Sequence, residues 1–243
     1  MASARFRFHD ELADFLPRER RGIEFSYACA RAATLKNAIE ALGVPHTEAG
    51  RITVNAAPAT MQRSVREGDA IEVYPWETEE MGSDPDFLAD AHLGGLARFL
   101  RMLGFDTLHD HAYRDADIVR LAIEERRIVL SRDCELLKCR DIACGCYVHA
   151  LKAEAQLREV ARRFALAAKA RPFTLCLRCN VPLDPIEKRR IVHLLPQTVA
   201  ATQESFFHCR GCERIYWPGS HYERMRVALG RMLPGSSASS PPP

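Results

Sequence analysis

Two pairs of cysteines near the end of the chain have the spacing of a metal site. Two residues separate Cys176 from Cys179 and Cys209 from Cys212, and 29 residues lie between the pairs. This spacing lets both thiolates of a pair reach one ion from a tight turn, and two such turns complete the tetrahedral sulfur shell that zinc favours. Since cysteine fills every position, no place is left for water, and we predict a structural zinc ion that folds a short segment.

The residues around these pairs suit tight turns, whereas the other cysteines form a weaker pattern. Asn180 and Gly211 tolerate a positive φ, which turns of this kind need. Cys134, Cys139, Cys144 and Cys146 have a spacing that matches no metal geometry, and we expect them to be small buried or loop residues, with a second metal site as the alternative. Cys29 stands alone in a strand-like segment and is expected to be a core residue. An odd total with two CxxC pairs indicates reduced thiols and metal rather than disulfides.

Acidic residues recur next to predicted strands and helices in the middle of the chain. Asp90 follows the apolar segment FLA, Asp133 follows RIVLS, and Asp115 and Asp117 precede the helical pattern IVRLAIEERR. Functional groups collect where parallel strands end, so Asp90, Asp117 and Asp133 could meet at one edge of a sheet. Such carboxylates repel one another unless a cation neutralises them. Their oxygen ligands suit Mg²⁺ or Mn²⁺, which activate water for phosphodiester hydrolysis.

Each of these carboxylates also has a purely structural interpretation. Asp117 could cap its helix, Asp133 could cap the short helix CELLK, and Asp90 could cap the helix after it. Arg98 and Arg101 are three residues apart and share one helix face. They could contact a phosphate backbone or hold the carboxylates in place, or they could be ordinary solvated arginines.

Residues 1–77 have the pattern of a small β-rich domain. RFRF and IEFSY alternate apolar and polar residues as half-buried strands do, Thr34 could cap the helix TLKNAIEALG, and RITVN and DAIEVYPW indicate later strands. This order resembles a ubiquitin-like β-grasp fold, in particular its small sulfur-carrier branch. Those carriers end in Gly-Gly, whereas this segment ends in YPWE. We therefore expect a protein-interaction or substrate-gripping role rather than conjugation.

The rest of the chain divides into four further segments. Residues 78–85 are polar and acidic and are predicted to be a linker. Residues 86–170 alternate strand-like and helix-like segments, which indicates an α/β domain with a mainly parallel sheet. Residues 171–227 carry the cysteine pairs of the predicted zinc ribbon, and residues 228–243, with PGSSASSPPP, are predicted to be a disordered tail.

Charge is spread unevenly along this chain of 243 residues, whose net charge is +2. Residues 1–86 hold 10 Lys and Arg against 15 Asp and Glu, whereas residues 151–231 hold 15 against 7. The basic part would therefore meet a polyanion such as RNA, and the acidic part would repel it. No segment reaches the ~20 apolar residues of a membrane span, and the first residues lack the apolar stretch of a signal peptide. We expect a cytoplasmic protein.

Several separated motifs resemble one family. FLADAHLGGLARFLRMLGFD, DADIVRLAIEERRIVLSRD, CLRCN and CRGCERIYWPGSHYERM occur in the order typical of the Mut7-C family of PIN-like nucleases, over about residues 86–227. The β-grasp segment resembles the ubiquitin-like domain that often precedes this family's RNase domain. The resemblance implies a PIN-like α/β fold, a zinc ribbon and RNase activity with a divalent metal.

The resemblance also implies roles for individual acidic residues. Asp90 matches the first-strand acid of PIN-type sites, and Asp117 matches the acid that opens a later helix, with Asp115 as an alternative. Asp133 matches the acid of the T-R-D motif, in which this chain has Ser131 instead of threonine. The motifs do not place the fourth acid of such sites, for which the candidates are Glu135 and Asp110.

Three residues after the last cysteine pair are candidate RNA contacts. His221, Tyr222 and Arg224 could bind RNA by stacking and by charge. Alternatively, Trp217 and Tyr222 could pack around the ribbon, which otherwise has almost no core. Taken together, these features predict a Mg²⁺- or Mn²⁺-dependent ribonuclease that acts on single-stranded RNA. The alternatives are a non-catalytic RNA-binding module and an adaptor whose β-grasp domain docks a protein partner.

Overall fold

The computed structural model describes residues 2–76 and 84–232, apart from the side chains of His221 and Met232. Most of the predicted linker at 78–85 and the end of the predicted tail, residues 233–243, lie outside the described residues. The first part of that predicted tail, residues 228–232, is helical instead of disordered. By its internal contacts the chain divides into two compact units: Met1–Glu80 with Arg114–Tyr147, and Met81–Tyr113 with Val148–Pro243.

The first unit begins with the predicted β-grasp arrangement. Its elements are β1 (Ala2–Phe8), β2 (Phe25–Cys29), α1 (Leu35–Ala41), β3 (Ala49–Val54), β4 (Ala57–Ala59) and β5 (Ala70–Pro75). The five strands form one sheet with the order β2-β1-β5-β3-β4. Strands β1 and β5 are parallel, whereas β1 with β2, β3 with β4 and β3 with β5 are antiparallel. The short β4 and the 3-10 turns Asp10–Phe15 and Arg18–Arg20 are additions to the sequence prediction.

Local sequence explains why these elements form. In β1, Ala4, Phe6 and Phe8 are buried and the residues between them are exposed, as alternation predicts. Thr34 caps α1 through a reciprocal capping box with Asn37. Gly43 follows the end of α1 at φ +105, a conformation that strains any other residue. Apolar side chains of α1 and of the inner face of the sheet pack together in one core.

The first unit also contains a strand-helix segment from the middle of the chain. Helix α3 (Asp115–Glu125) leads to strand β8 (Ile128–Ser131), and the short helix α4 (Cys134–Leu137) leads to strand β9 (Gly145–Tyr147). Strands β8 and β9 are parallel, with Ser131 opposite Tyr147. All four residues of β8 are buried, as expected for a strand covered on both faces.

The β-grasp part packs against β9 within this unit. Glu48 Oε1 accepts a hydrogen bond from the Tyr147 backbone N–H at 2.7 Å. His46 Nε2 lies 3.0 Å from the Ile142 carbonyl oxygen. The Phe15 ring meets the Tyr147 ring edge-on at 5.1 Å between centroids. The β-grasp part is therefore a structural neighbour of β9 and not a loosely tethered module.

Glu48→Ala is expected to lower the thermal midpoint of the first unit. Glu48 is only 2% exposed, and its loss leaves the Tyr147 N–H without this acceptor, at a cost of about 1–3 kcal/mol. Glu48→Gln keeps a carbonyl oxygen and is expected to lose less. Glu24→Ala, which removes only an exposed ion pair with Arg5, is the matched control and is expected to change little. Equal losses for the Ala variants, measured by circular dichroism melts, would contradict the assigned role of Glu48.

The second unit contains the start of the nuclease-like region. Strand β6 (Phe87–Ala89) pairs in parallel with β7 (Thr107–Leu108), and helix α2 (Gly94–Met102) connects them. The sequence predicts that this strand begins at Phe105, whereas β7 begins two residues later, at Thr107. Helix α2 packs against α5 (Ala153–Arg163). These parallel pairs and their helices confirm the predicted α/β class.

The last part of the second unit is the ribbon and its closing helix. A three-stranded antiparallel sheet has the order β10-β11-β12, from Asp184–Pro185, Phe207–His208 and Ile215–Tyr216. Helices α6 (Lys188–Ile191) and α7 (Gln197–Thr202) lie between β10 and β11 in sequence. Helix α8 (Ser220–Met232) contacts α5. Among the helices of residues 2–76 and 84–232, none combines the length and the hydropathy that a membrane span requires.

Candidate functional site

The four paired cysteines converge as the sequence predicts. The sulfur atoms of Cys176, Cys179, Cys209 and Cys212 all lie within 4.8 Å of one another, and Cys176 Sγ is 3.7 Å from Cys212 Sγ. Among the residues that the structure describes, this is the only group of three or more potential ligands brought together in this way. Four sulfur ligands from two turns could bind zinc, and they fit a closed structural site.

The two turns, here called the first knuckle (Cys176–Cys179) and the second knuckle (Cys209–Cys212), have closely similar backbones. The Cys179 N–H points at Cys176 Sγ at 3.4 Å, and the Gly211 N–H points at Cys209 Sγ at 3.3 Å. The residue after each knuckle has a positive φ, at +62 for Asn180 and +57 for Glu213. The expectation for Asn180 is thus confirmed, whereas in the second knuckle Glu213, and not Gly211, takes this conformation.

Gly211 faces the first knuckle, and the space beside it would admit a Cβ. A Cβ there would lie 3.4 Å from Cys179 Cβ and 3.6 Å from Cys179 Sγ. These are ordinary van der Waals distances, so the two knuckles lie side by side with room for a methyl group between them at this position.

The cysteine side chains do not ionise together without a cation. Burial raises the pKa of Cys176, but hydrogen bonds from Tyr216 and the Cys179 backbone outweigh it and bring the pKa to about 6. The Tyr216 hydroxyl lies 3.1 Å from Cys176 Sγ. Burial and the neighbouring Cys212 raise the pKa of Cys179 to about 12. A metal ion can remove this conflict, since coordination deprotonates all of its thiol ligands.

Arg101 donates hydrogen bonds to the backbone of the first knuckle. Its Nε donates to the Thr107 carbonyl at 2.8 Å, and its Nη1 donates to the carbonyls of Leu177 and Arg178 at 3.3 and 2.9 Å. The side chain is 5% exposed, and burial lowers its pKa while the charges of Cys176 and Asp106 oppose this shift. The guanidinium of Arg101 is thus buried and occupied by backbone acceptors, a geometry that does not favour its predicted contact with RNA.

Asn180 makes a second connection between the first knuckle and β7. Its Oδ1 accepts from the Thr107 N–H at 3.0 Å, and its Nδ2 donates to Asp106 Oδ1 at 2.6 Å. Main-chain bonds from Arg171 to Leu103 and from Phe173 to Met102 continue the contact. The first knuckle is thus joined to α2 and β7 by a continuous hydrogen-bond network.

The predicted acidic residues lie at the ends of the elements expected for them. Asp90 follows β6 directly, and its Oδ1 accepts from the Ala91 N–H at 2.6 Å. Asp133 follows β8 by two positions and caps α4, because its Oδ1 accepts from the N–H groups of Glu135 and Leu136 at 2.8 and 3.3 Å. The capping interpretation holds for both residues at the level of local structure.

Ser131 and Asp117 show how the local backbone fixes the carboxylates. The buried Ser131 Oγ accepts from the Asp133 N–H at 2.9 Å, so a hydroxyl shapes this turn. Asp117 is the third residue of α3, and its Oδ2 accepts from the Arg114 N–H at 3.2 Å. This backbone hydrogen bond lowers the pKa of Asp117. Asp117 and Asp133 belong to one compact unit and Asp90 to the other, so their convergence remains a prediction.

The other predicted contacts vary in exposure. Arg98 and Arg224 are exposed. The Tyr222 ring packs against Phe173 at 4.2 Å between centroids, which agrees with the packing interpretation, and the side chain of His221 lies outside the described part of the chain. Of the candidates for a fourth acid, Glu135 pairs with Lys138 and Asp110 accepts from the Ala112 N–H.

Two residues around the cysteine cluster have roles that the sequence does not predict. The Tyr216 hydroxyl lies within hydrogen-bond distance of Cys176 Sγ, and Arg101 donates to backbone carbonyls of the first knuckle. For Tyr216 a signal exists, since it lies four residues after Cys212 at the start of an aromatic pair. For Arg101 the sequence shows only that it lies three residues after Arg98 and shares a helix face with it. This spacing does not indicate which groups the guanidinium contacts.

Two family models match the chain, in the order of its two predicted regions. A family model described as Mut7-C RNAse domain matches residues 85–229, which is more than half of the chain, and one described as Mut7-C ubiquitin matches residues 1–81. The crystal structure of H. volcanii small archaeal modifier protein 1 is similar to 31% of this chain over 99% of its own, with 16% identity and a TM-score of 0.26. No curated protein matches the chain.

Proposed function

Because the chain belongs to the Mut7-C RNAse domain family, we propose that it is a divalent-metal-dependent ribonuclease acting on single-stranded RNA. The observation that carries the proposal is the setting of Asp90 and Asp133. Each follows a buried strand closely and has its carboxylate oriented by backbone N–H groups. Side chains held in this way need no reorganisation when they take part in a reaction.

The donor set fits a hard divalent cation. Both hydrogen bonds to Asp133 fall on Oδ1, and those to Asp117 fall on Oδ2, so the other oxygen of each carboxylate can take a further ligand. The lowered pKa of Asp117 favours its ionised form. Carboxylate oxygens are the ligands that Mg²⁺ and Mn²⁺ prefer.

The roles of the residues follow from this donor set. Asp90, Asp117 and Asp133 would hold the ion and orient it. A bound Mg²⁺ or Mn²⁺ would activate water and stabilise the negative charge on the phosphate. Arg98 and Arg224, which are exposed, would contact the RNA backbone, and Tyr222 would offer a partly exposed ring to a base.

Asp90→Asn is expected to abolish Mn²⁺-dependent cleavage of a labelled single-stranded RNA. The asparagine side chain can still accept from the Ala91 N–H, so the turn stays intact while the negative charge is lost. We expect a loss of at least about 100-fold, because the carboxylate would be a direct metal ligand. Asp14→Asn, at an exposed acid of the β-grasp part that is distant in sequence from the predicted site, is the control. Cleavage that survives in EDTA, or in the Asp90 variant, would overturn the proposal.

RNA binding without catalysis is the second candidate. It is favoured by the excess of basic residues at 151–231, 15 against 7 acidic ones, and by the absence of a placed fourth acid. RNA affinity that needs no metal and is unchanged by Asp90→Asn, with no cleavage in Mg²⁺ or Mn²⁺, would favour this candidate.

A protein partner of the β-grasp part is a third possibility within the same fold. Glu48, His46 and Phe15 already contact residues of their own unit. A partner would therefore meet another surface, such as the exposed sheet face that carries Arg7 and Arg51. Loss of binding after charge reversal at these two arginines would identify that face.

A further inference from the structure

A histidine just after β7 lies against the turn that carries Asp90. His109 is partly buried, and its Nε2 lies 3.1 Å from the Ala91 carbonyl oxygen. Because a carbonyl oxygen only accepts, Nε2 must carry the proton and donate it. The N–H of the same alanine donates to Asp90 Oδ1 at 2.6 Å. Ala91 is thus fixed on one side by the carboxylate of Asp90 and on the other by the imidazole.

The glycine at position 94 makes room for this ring. A Cβ on Gly94 would lie 2.9 Å from His109 Cε1 and 3.1 Å from Nε2, so the ring would have to move. The backbone of Gly94 has φ −58 and ψ −32, which any residue adopts without strain. The requirement for glycine therefore comes from the space that His109 occupies and not from the conformation of the chain.

The strand register places His109 and Asp90 at the same edge. Leu88 of β6 lies opposite Leu108 of β7 in a parallel pair. His109 and Asp90 therefore leave their strands side by side in the same direction. The sequence patterns gave His109 no role, because a single histidine after a short apolar segment is not a motif.

We propose that His109 is a positioning residue of the acidic site. By holding the Ala91 peptide, it sets the orientation in which the Asp90 carboxylate meets a divalent cation. The inference rests on the proposed function, since it gives Asp90 the role of a metal ligand. Residues that orient a ligand in this way typically change metal affinity or activity by about 10–100-fold when they are removed.

The test uses the full chain with its zinc site loaded and compares variants at this contact. His109→Ala removes the hydrogen bond, whereas His109→Gln keeps an N–H donor of similar reach. Gly94→Ala displaces the ring without altering it. The matched control is His111→Ala, two residues along the same loop, whose side chain is 93% exposed. The readouts are Mn²⁺ affinity by calorimetry, kcat and KM for RNA cleavage, zinc content and thermal midpoint.

His109→Ala and Gly94→Ala are each expected to weaken Mn²⁺ binding about tenfold and to lower kcat, with KM for RNA and the thermal midpoint nearly unchanged. His109→Gln should recover most of the lost Mn²⁺ affinity, and His111→Ala should match the wild type. The double variant Gly94→Ala/His109→Ala should bind Mn²⁺ no more weakly than His109→Ala alone, because both changes act on the same contact. Behaviour of the His109 variants like that of His111→Ala would overturn the inference. So would a fall in thermal midpoint with Mn²⁺ affinity unchanged.

The same measurements separate this inference from the proposed function. A wild-type chain that binds Mn²⁺ through Asp90 but cleaves no RNA would refute the ribonuclease proposal. The inference would then be decided by Mn²⁺ affinity alone, since that readout requires no turnover. A wild-type chain that binds no Mn²⁺ would overturn both.

Discussion

Removing zinc, by chelation or by Cys176→Ser, is expected to unfold the ribbon while residues 2–76 stay folded. The strands β10, β11 and β12 have two residues each, far too few to form a stable sheet alone. A structural zinc ion contributes an apparent ~10–16 kcal/mol to the folding of such modules. The β-grasp part keeps its own core of apolar side chains and needs no metal.

Hydrogen exchange with a parallel zinc assay would measure this. The Cys176 N–H donates to Val181 and the Cys209 N–H to Arg214, and both amides should lose protection once zinc is gone. Cys144→Ser, at an exposed cysteine, is the control and should retain zinc. Protection that persists at both amides in the metal-free chain would contradict a structural role for zinc.

Tyr216→Phe tests the zinc site by a smaller change than removal of the metal or of a cysteine. It removes only the hydroxyl that lies 3.1 Å from Cys176 Sγ and keeps the ring. We expect the ribbon to fold and zinc affinity to fall by about tenfold, since partners of metal ligands typically contribute that much. Competition with a chromophoric chelator would measure the affinity, and an unchanged value would show that the hydroxyl does not support Cys176.

Features set by local geometry could be predicted from the sequence. The cysteine pairs indicate the metal turns because a knuckle is built from four consecutive residues. The strand β1 was recognised because Phe6 and Phe8 alternate with polar residues, and α1 because Thr34 and Gly43 mark its two ends. In each case the physical cause lies within a few residues of its effect.

Features that depend on distant backbone atoms could not be predicted. Arg101 donates to carbonyls 76 and 77 residues away, and every residue type carries a backbone carbonyl, so the acceptors leave no trace in the sequence. The need for glycine at position 94 is likewise hidden in the sequence, because only the structure shows that the ring of His109 lies next to it. The predicted convergence of Asp90, Asp117 and Asp133 also depends on distant segments, and the recurrence of acids beside predicted strands and helices supports it only indirectly.

Arg101→Met is expected to loosen the first knuckle from α2 and β7 even when zinc is bound. The methionine fills much of the space of the arginine stem but leaves the carbonyls of Thr107, Leu177 and Arg178 without this donor. Since the arginine is 5% exposed and a hydrogen bond to a charged group contributes about 1.5–3 kcal/mol, we expect a loss of about 3 kcal/mol. Arg101→Lys should recover little, because one ammonium group cannot reproduce the spread of the guanidinium.

The local opening free energy from hydrogen exchange is the appropriate measurement, since the chain has more than one compact unit. The Thr107 N–H, which donates to Asn180, reports on the contact itself. Arg98→Met lies one helical turn earlier on α2, at an exposed position, and controls for the loss of a positive charge. If both methionine variants exchange equally at Thr107, the buried guanidinium does not hold the knuckle. If the Thr107 N–H loses protection only in Arg101→Met, the buried guanidinium holds the first knuckle against α2, the helix that follows Asp90.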